Sequence, residues 1–377
     1  MKSALNNFLT LGLLTAFLAA TPGKSFSTAS EGDTFNAGEM IMHHVADAHE
    51  IHLVGDLAIY LPVILWTDNG LKVFSSSEFY HNPVKEEFGG EEILYFDQGE
   101  FIMHHEKIYY AAPQDDIAGM EEHPQRKISD MEQNHLTNAT PIDLSITKSI
   151  FGMFLVIILL VIMFSAAARK YKRNPGKAPS GLQNALEPFI LFIRDEVARP
   201  SIGRKADRYV PFLLTTFFFV WMSNMLGLIP FLGGFNITGT IAVTAVLSVF
   251  VLIITAFSGN KHYWGHIFNP PGVVWPVKLI LVPIEIVQVL LKPFVLMVRL
   301  TANITAGHII ILAFVSLVLI FGQTSATTAY GVGVGAVAFM VFMFFLELLV
   351  AFLQAYVFVL LAALYFGDAT HEAHHPA

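Results

Sequence analysis

The sequence predicts an all-α polytopic membrane protein of about five membrane helices, two of them long and tilted, with a small β-containing domain outside the bilayer. Three observations carry that expectation. The 377 residues are 54% hydrophobic and only 14% charged, a balance foreign to a soluble single core. Charge is divided along the chain: Glu31 to Thr147 holds 22 acids against 5 Lys plus Arg, whereas Lys148 to Ala377 holds 15 bases against 8 acids, so the two parts face different surroundings. Residues 31–143 contain no long apolar run, and from Ile150 onward such runs dominate.

At the start, Lys2 precedes an apolar run from Phe8 to Ala20 and then small residues. Residues 1–25 therefore read as a signal peptide, with an uncleaved anchor as the alternative. The stretch 31–143 alternates β-rich segments with turn signals. LAIYLPVILW and LKVFSSS flank an Asn-Gly turn, and EILYF and EFIMHHEKIYY flank Asp97-Gln98-Gly99, which predicts a small antiparallel β unit. This acidic part is also rich in histidine, nine of them from His43 to His135. The chain has no cysteine and no clean H-x-x-x-H helix, so these side chains, like His371, His374 and His375 in the tail at 369–377, are expected to be solvated or locally paired; zinc is the competing reading. No metal and no cofactor is expected.

The first clear span runs from Ile150 to Ala168 and is followed by Arg169, Lys170, Lys172, Arg173 and Lys177. Such a cluster marks the cytoplasmic side, which puts the amino-terminal domain in the periplasm. ALEPFILFIRDEVARPSIGRKADRY has helical apolar spacing with a charged face and is expected to lie on the cytoplasmic surface. Spans at Val210–Ile229 and Thr240–Phe257 follow, joined by a turn over Phe231–Thr238. Within the membrane domain, placed at 144–368, two stretches are overlong. Trp275–Phe321 would run about 70 Å as a helix and Tyr330–Phe366 about 55 Å, against a hydrocarbon core of roughly 30 Å. Each must break in two or tilt steeply, ending with the carboxyl terminus in the cytoplasm. Lys278, Glu285, Lys292, Arg299 and Ala306 recur every seven residues and so form a stripe that drifts about 20° per heptad, which favours tilting. Glu347 and Gln354 repeat that spacing in the second stretch. The run Gly331, Gly333, Gly335 lacks the Lys-Ser/Thr of a phosphate loop and is expected to serve close packing or a hinge.

Arg299 is the position that demands explanation. An arginine at membrane depth costs at least a few kcal/mol and does not deprotonate to escape. Pairing with Glu285 is the bland account, but fourteen residues of helix separate them by about 21 Å. The segment LKPFVLMVRLTANITAGH, followed by ELLVAFLQAYVFVLLAALYF, resembles subunit a of the F-type ATP synthase. The resemblance covers most of 144–368 and rests on R-L-x-x-N-x-x-A-G, a downstream L-Q-A-[FY], and Asn224 in WMSNMLGLIP; Met42-His43-His44 resembles the family's amino-terminal histidine pair.

That resemblance implies a proton-translocating stator subunit in a bacterial inner membrane, whose partners are a c-subunit ring, a b-subunit peripheral stalk, the bilayer and the transported protons. No nucleic acid is implied. Arg299 would face the rotor carboxylate, flanked by Asn303 and Gln354, with Glu285 and Lys292 as channel positions. His308 and Glu347 stand where many bacterial members have Glu and His, a swap that a carboxyl–imidazole relay tolerates. A proton path from the periplasm along Glu285, His308 and Glu347 is expected, with Ala302, Ala306 and Gly307 letting a rotor helix approach. The chain has no G-x-x-x-x-G-K-[ST] and is not expected to hydrolyse ATP itself. A secondary ion exchanger would show internal repeats, which are lacking; a structural scaffold is the other alternative. The segment from about 55 to 140 is longer than the family usually carries.

Overall fold

The structure, a computed structural model, describes residues 38, 41, 46–52, 58–88, 91–111, 131–132, 135–136, 138–173, 176, 178–229, 234–324 and 326–370. The expected leader at 1–25, His43, His44 and the three tail histidines lie outside them. Two compact units emerge: Met1–Phe151 with Ile229–Gly234, and Gly152–Leu228 with Phe235–Ala377.

The first unit is a set of antiparallel ribbons. Strand β1 (Glu50–His52) pairs with β2 (Ala58–Tyr60). β3 (Pro62–Thr67) and β4 (Gly70–Ser75) form the hairpin read from the alternation, with Thr67 opposite Gly70. The loop residues are Asp68-Asn69 rather than Asn-Gly; Gly70, at φ 108°, closes the ladder where a side chain would be strained. After a short helix α1 (Ser77–Tyr80), strands β5 (Pro83–Phe88), β6 (Glu91–Asp97), β7 (Phe101–His104) and β8 (Lys107–Tyr110) make a four-stranded sheet in that order. EFIMHHEKIYY is thus two strands and not one. The reversal falls at His105 and Glu106, both at positive φ (48° and 62°), a conformation that costs a non-glycine residue roughly 1–2 kcal/mol. Tertiary contacts offset it: the Glu106 carboxylate accepts hydrogen bonds from Tyr80 Oη at 2.9 Å and the His49 backbone amide at 3.4 Å. β9 (Met131–Glu132) and β10 (His135–Leu136) pair with each other, and β11 (Ile142–Asp143) adds to the edge of β3. Val63, Leu65, Phe79, Phe101, Met103 and Ile108 form the core of this unit.

Helix α2 (Lys148–Arg173) starts from the β unit, with Ser149 N donating to Asp47 Oδ1 at 2.8 Å as a side-chain cap. α3 (Leu182–Leu191), a π-helical stretch (Phe192–Ala198) and α4 (Arg199–Ile202) follow. Gly203, at φ 74°, breaks the rod before a 3-10 turn and α5 (Ala206–Gly227). That break separates the amphipathic segment from the span after it, as the charge pattern predicts. The π segment has no signature in the sequence. α6 (Ile241–Ser258) and a short α7 (Lys261–Phe268) lead to α8 (Trp275–Thr324, 50 residues) and α9 (Ala326–Thr370, 45 residues). Neither long helix breaks, even at Pro283 and Pro293 within α8.

Five segments among the described residues are long and apolar enough to cross a membrane: Lys148–Arg173, Leu182–Gly227, Ile241–Ser258, Trp275–Val318 and Gly331–Thr370. The chain is a multi-pass membrane protein with a β-containing amino-terminal region. Close packing relies on glycines other than the expected run. A Cβ on Gly367 of α9 would collide with the Ser201 carbonyl oxygen of α4, and one on Gly152 would lie 2.8 Å from Phe235. Gly331 and Gly335 face open space, and Gly333 meets only Val318 at an ordinary 3.9 Å.

Candidate functional site

The long helices α8 and α9 run antiparallel, and their polar stripes meet as a ladder of three rungs. At one level the Glu347 carboxylate lies directly over the backbone of Gly307, where any Cβ would strike Oε1. At the next, Asn303 Nδ2 donates to Gln354 Oε1 at 2.9 Å. Farther along, Lys292 Nζ meets Asp368 Oδ2 at 3.3 Å and sits 5.0 Å from the centre of the Tyr365 ring. As α8 positions fall from 307 to 292, their α9 partners rise from 347 to 368, the signature of antiparallel packing in register.

Arg299 lies between the second and third rungs and has none of its own. It is exposed, and no hydrogen bond or ion pair engages it among the described residues. Ala302 and Ala306, three and seven positions on, are exposed beside it, so an unpaired cation sits on a face of small side chains. Gly307 was expected on that face; it is spent instead on accommodating Glu347. Behind Arg299, Thr301 Oγ1 and Thr244 Oγ1 of α6 share a hydrogen bond of 2.7 Å.

Around the Glu347 rung the structure gathers two further sequence-selected residues. His308 follows Gly307, and its Nε2 lies 3.7 Å from where a Cβ on Gly227 would stand, at the end of α5. Asn224, one turn earlier on α5, is 3% exposed. Its Nδ2 donates to the Ala351 carbonyl oxygen of α9 at 3.1 Å, and its Oδ1 accepts from Thr238. Glu347 Oε2 is buried and has no hydrogen-bond partner among the described residues. A buried carboxylate oxygen without a partner among the described residues, over the glycine that precedes His308, is a place where a proton or a water can be held.

Glu285 does not join this group. On the unbroken α8 it lies 23 residues from His308, about 35 Å along the axis and on the other side of Arg299. On the unbroken helix Glu285 and His308 therefore stand on opposite sides of Arg299. Glu285 shares its side of the arginine with Lys292 and Asp368, and both Glu285 and Asp368 raise the pKa of Tyr263 on α7, where burial is the larger cause. Asp368 was not selected from the sequence as a site residue, although it falls two heptads after Gln354 and so extends the stripe. Thr238 and Thr301 carry no such signal, because their pairing depends on loop and helix placement.

The family described as ATP synthase A chain matches residues 150–367, which include every rung except Asp368. The chain belongs to the ATP synthase A chain family. Among curated proteins, ATP synthase subunit a 2 of Chlorobaculum tepidum is 44% identical over 246 residues, 62% of this chain and 66% of that protein. ATP synthase subunit a of Chlorobium phaeobacteroides is 42% identical over 241 residues, 62% of this chain and 68% of that one. A subunit a 2 of Chlorobium luteolum is 40% identical over 257 residues, with coverages of 64% and 73%. The chain thus spans about two thirds of the length of these relatives. A second family, a domain of unknown function (DUF8433), matches residues 40–144, the β-containing part.

The β region holds its own buried charges. His49, 1% exposed, has Glu106 Oε2 at 3.6 Å and Asp143 Oδ2 at 3.7 Å from its ring nitrogens. Burial pushes the imidazole pKa down, but the Asp143 and Glu106 carboxylates outweigh it and hold the pKa at about 9. No group of three or more His, Asp or Glu with metal-binding geometry occurs among the described residues.

Proposed function

We propose that this chain is the proton-translocating stator subunit of an F-type ATP synthase, facing a c-subunit ring and held by a b-subunit stalk. It has no ATP-hydrolysing site of its own and works in a bacterial inner membrane with its amino-terminal domain in the periplasm. The observation that carries the reading is Arg299, a charge exposed on a membrane helix without a counter-ion among the described residues. Glu285, about 21 Å away, can supply under 1 kcal/mol even at an effective dielectric of 20, whereas a carboxylate at 4 Å supplies about 4. A rotor carboxylate brought close to Arg299 would offset the charge far better than Glu285 does.

A rotor carboxylate moving through lipid must be protonated, because an ionised acid in hydrocarbon is very costly. Opposite Arg299 the ionised form is favoured, so the proton leaves. On the side toward the amino end of α9, Glu347, His308 and Asn224 pass protons from the periplasm to the carboxylate, with Asn303 and Gln354 fixing the helix register beside the arginine. On the other side, Lys292 and Glu285 line the cytoplasmic exit. Arg299 separates the two and blocks a direct leak. Each charge crossing is worth about 2.3 kcal/mol per 100 mV, which drives rotation in one direction.

The test is proton-driven ATP synthesis in vesicles carrying the assembled complex with Arg299→Ala. Coupled synthesis should be abolished; synthesis at the wild-type rate would refute the reading.

A further inference from the structure

The three-stranded sheet β11-β3-β4 has an unusual second face. Its inner face carries Val63, Leu65 and Phe74 into the core. Because Trp66 pairs with Leu71 and with Ile142, and Ile64 pairs with Val73, these side chains share the opposite face, as does Leu144, whose backbone N–H donates a hydrogen bond to the Ile64 carbonyl oxygen. Trp66, Leu71, Val73, Ile142 and Leu144 are 56%, 57%, 59%, 64% and 56% exposed. An antiparallel sheet with one buried face ordinarily turns polar residues outward, and contiguous apolar patches on soluble surfaces mark contact with something apolar. The charges of these strands, Lys72 and Asp143, are on the inner side, paired with Glu100 and His49.

The position of this face in the chain names what covers it. Leu144 is four residues from Lys148, the first residue of a membrane-spanning helix, so it lies at most about 14 Å from the point where that helix begins. The link is not slack. Leu144, Ile146 and Lys148 donate their amides to Ile64, Pro62 and Ala48, and Asp47 caps Ser149, so the sheet is fastened to the first turn of α2. A rigid sheet so close to the bilayer, presenting one tryptophan and four aliphatic side chains without a charge, has the composition of an interfacial anchor.

We propose that this face rests in the interfacial layer of the lipid bilayer, so that the β region is a monotopic membrane anchor beside the first span. Trp66 takes the headgroup level while Leu71, Val73, Ile142 and Leu144 reach the acyl boundary. The proposal does not depend on the proton-transfer reading.

The chain has no cysteine, so Val73→Cys and Leu71→Cys each give a single site for a nitroxide label in the full chain, reconstituted in phosphatidylethanolamine–phosphatidylglycerol vesicles. Glu100→Cys, in the turn between β6 and β7, is the aqueous control. At positions 71 and 73, collision with dissolved oxygen should exceed collision with a water-soluble nickel chelate, and at position 100 the order should reverse. A lipid bearing a nitroxide near its headgroup should broaden the first two spectra alone. A chelate-accessible label at 71 and 73 would overturn the proposal. So would an immobile label that neither reagent reaches, since a protein segment would then cover the face. If either variant fails to fold, quenching of Trp66 by brominated lipid, taken as the difference from Trp66→Phe, decides the same question.

Discussion

Raising the pH should loosen the β region through His49. The imidazole lies in a core position between Glu106 and Asp143, and its pKa rises from an ordinary 6.5 to about 9. A group that binds its proton more tightly when folded adds stability that is fully present below the unfolded pKa and is lost as the pH climbs through the folded one. The window is therefore about pH 6.5 to 9, with the contribution gone above it. A shift of that size corresponds to about 3.4 kcal/mol, or a change of roughly three-hundredfold in the opening equilibrium. Asp143 acts at the other end: burial pushes its pKa up, but the His49 ring 3.7 Å away and the hydrogen bond from the Ser145 amide more than reverse this, so its contribution is present above the ordinary carboxylate range and is lost as the pH falls. Hydrogen–deuterium exchange of the Val63, Leu65 and Met103 amides in the full chain, corrected for intrinsic rates, should show protection falling between pH 6 and 10. Glu106→Gln should shrink that fall by removing one of the two carboxylates. Equal protection across the range, or a pH response untouched by Glu106→Gln, would refute the assignment.

Gly367→Ala should destabilise the membrane unit by about 1–3 kcal/mol, because the new methyl meets the backbone carbonyl of Ser201, which cannot rotate away; thermal unfolding in detergent measures it. Gly307→Ala displaces the Glu347 carboxylate and should lower coupled ATP synthesis while leaving the melting temperature nearly unchanged, since a flexible side chain yields more cheaply than backbone. Asn303→Leu and Gln354→Leu should be non-additive in stability by about 0.6–1.7 kcal/mol, as measured by a double-mutant cycle; strict additivity would mean that their 2.9 Å hydrogen bond carries no coupling.

Much of the membrane part was legible because its signals are local or periodic. Apolar length, the basic cluster after Ala168 and the heptad stripe need only a helix of known rise. The β hairpin at Thr67–Gly70 was legible from alternation and turn chemistry. Other features depend on neighbours far away in the chain. The reversal at His105-Glu106 holds two non-glycine residues at positive φ because Tyr80 and His49 engage Glu106, and no local preference announces it. Glu285 is a different case: the 23 residues between it and His308 become a separation of about 35 Å only if the helix runs unbroken past Pro293, which the tertiary structure decides.

By itself, the sequence determined that this chain crosses a membrane several times, that an arginine lies at membrane depth, and that polar residues repeat every seven positions beside it. Hydrophobicity and helical periodicity are properties of neighbouring residues, so they can be read without a fold. Only the tertiary structure decided which stripe residues become partners. Antiparallel packing of α8 on α9 sets Gly307 under Glu347, Asn303 against Gln354 and Lys292 against Asp368, and leaves Arg299 exposed without a rung among the described residues. Register between two helices is fixed by how their surfaces fit, and a single helix carries no record of it.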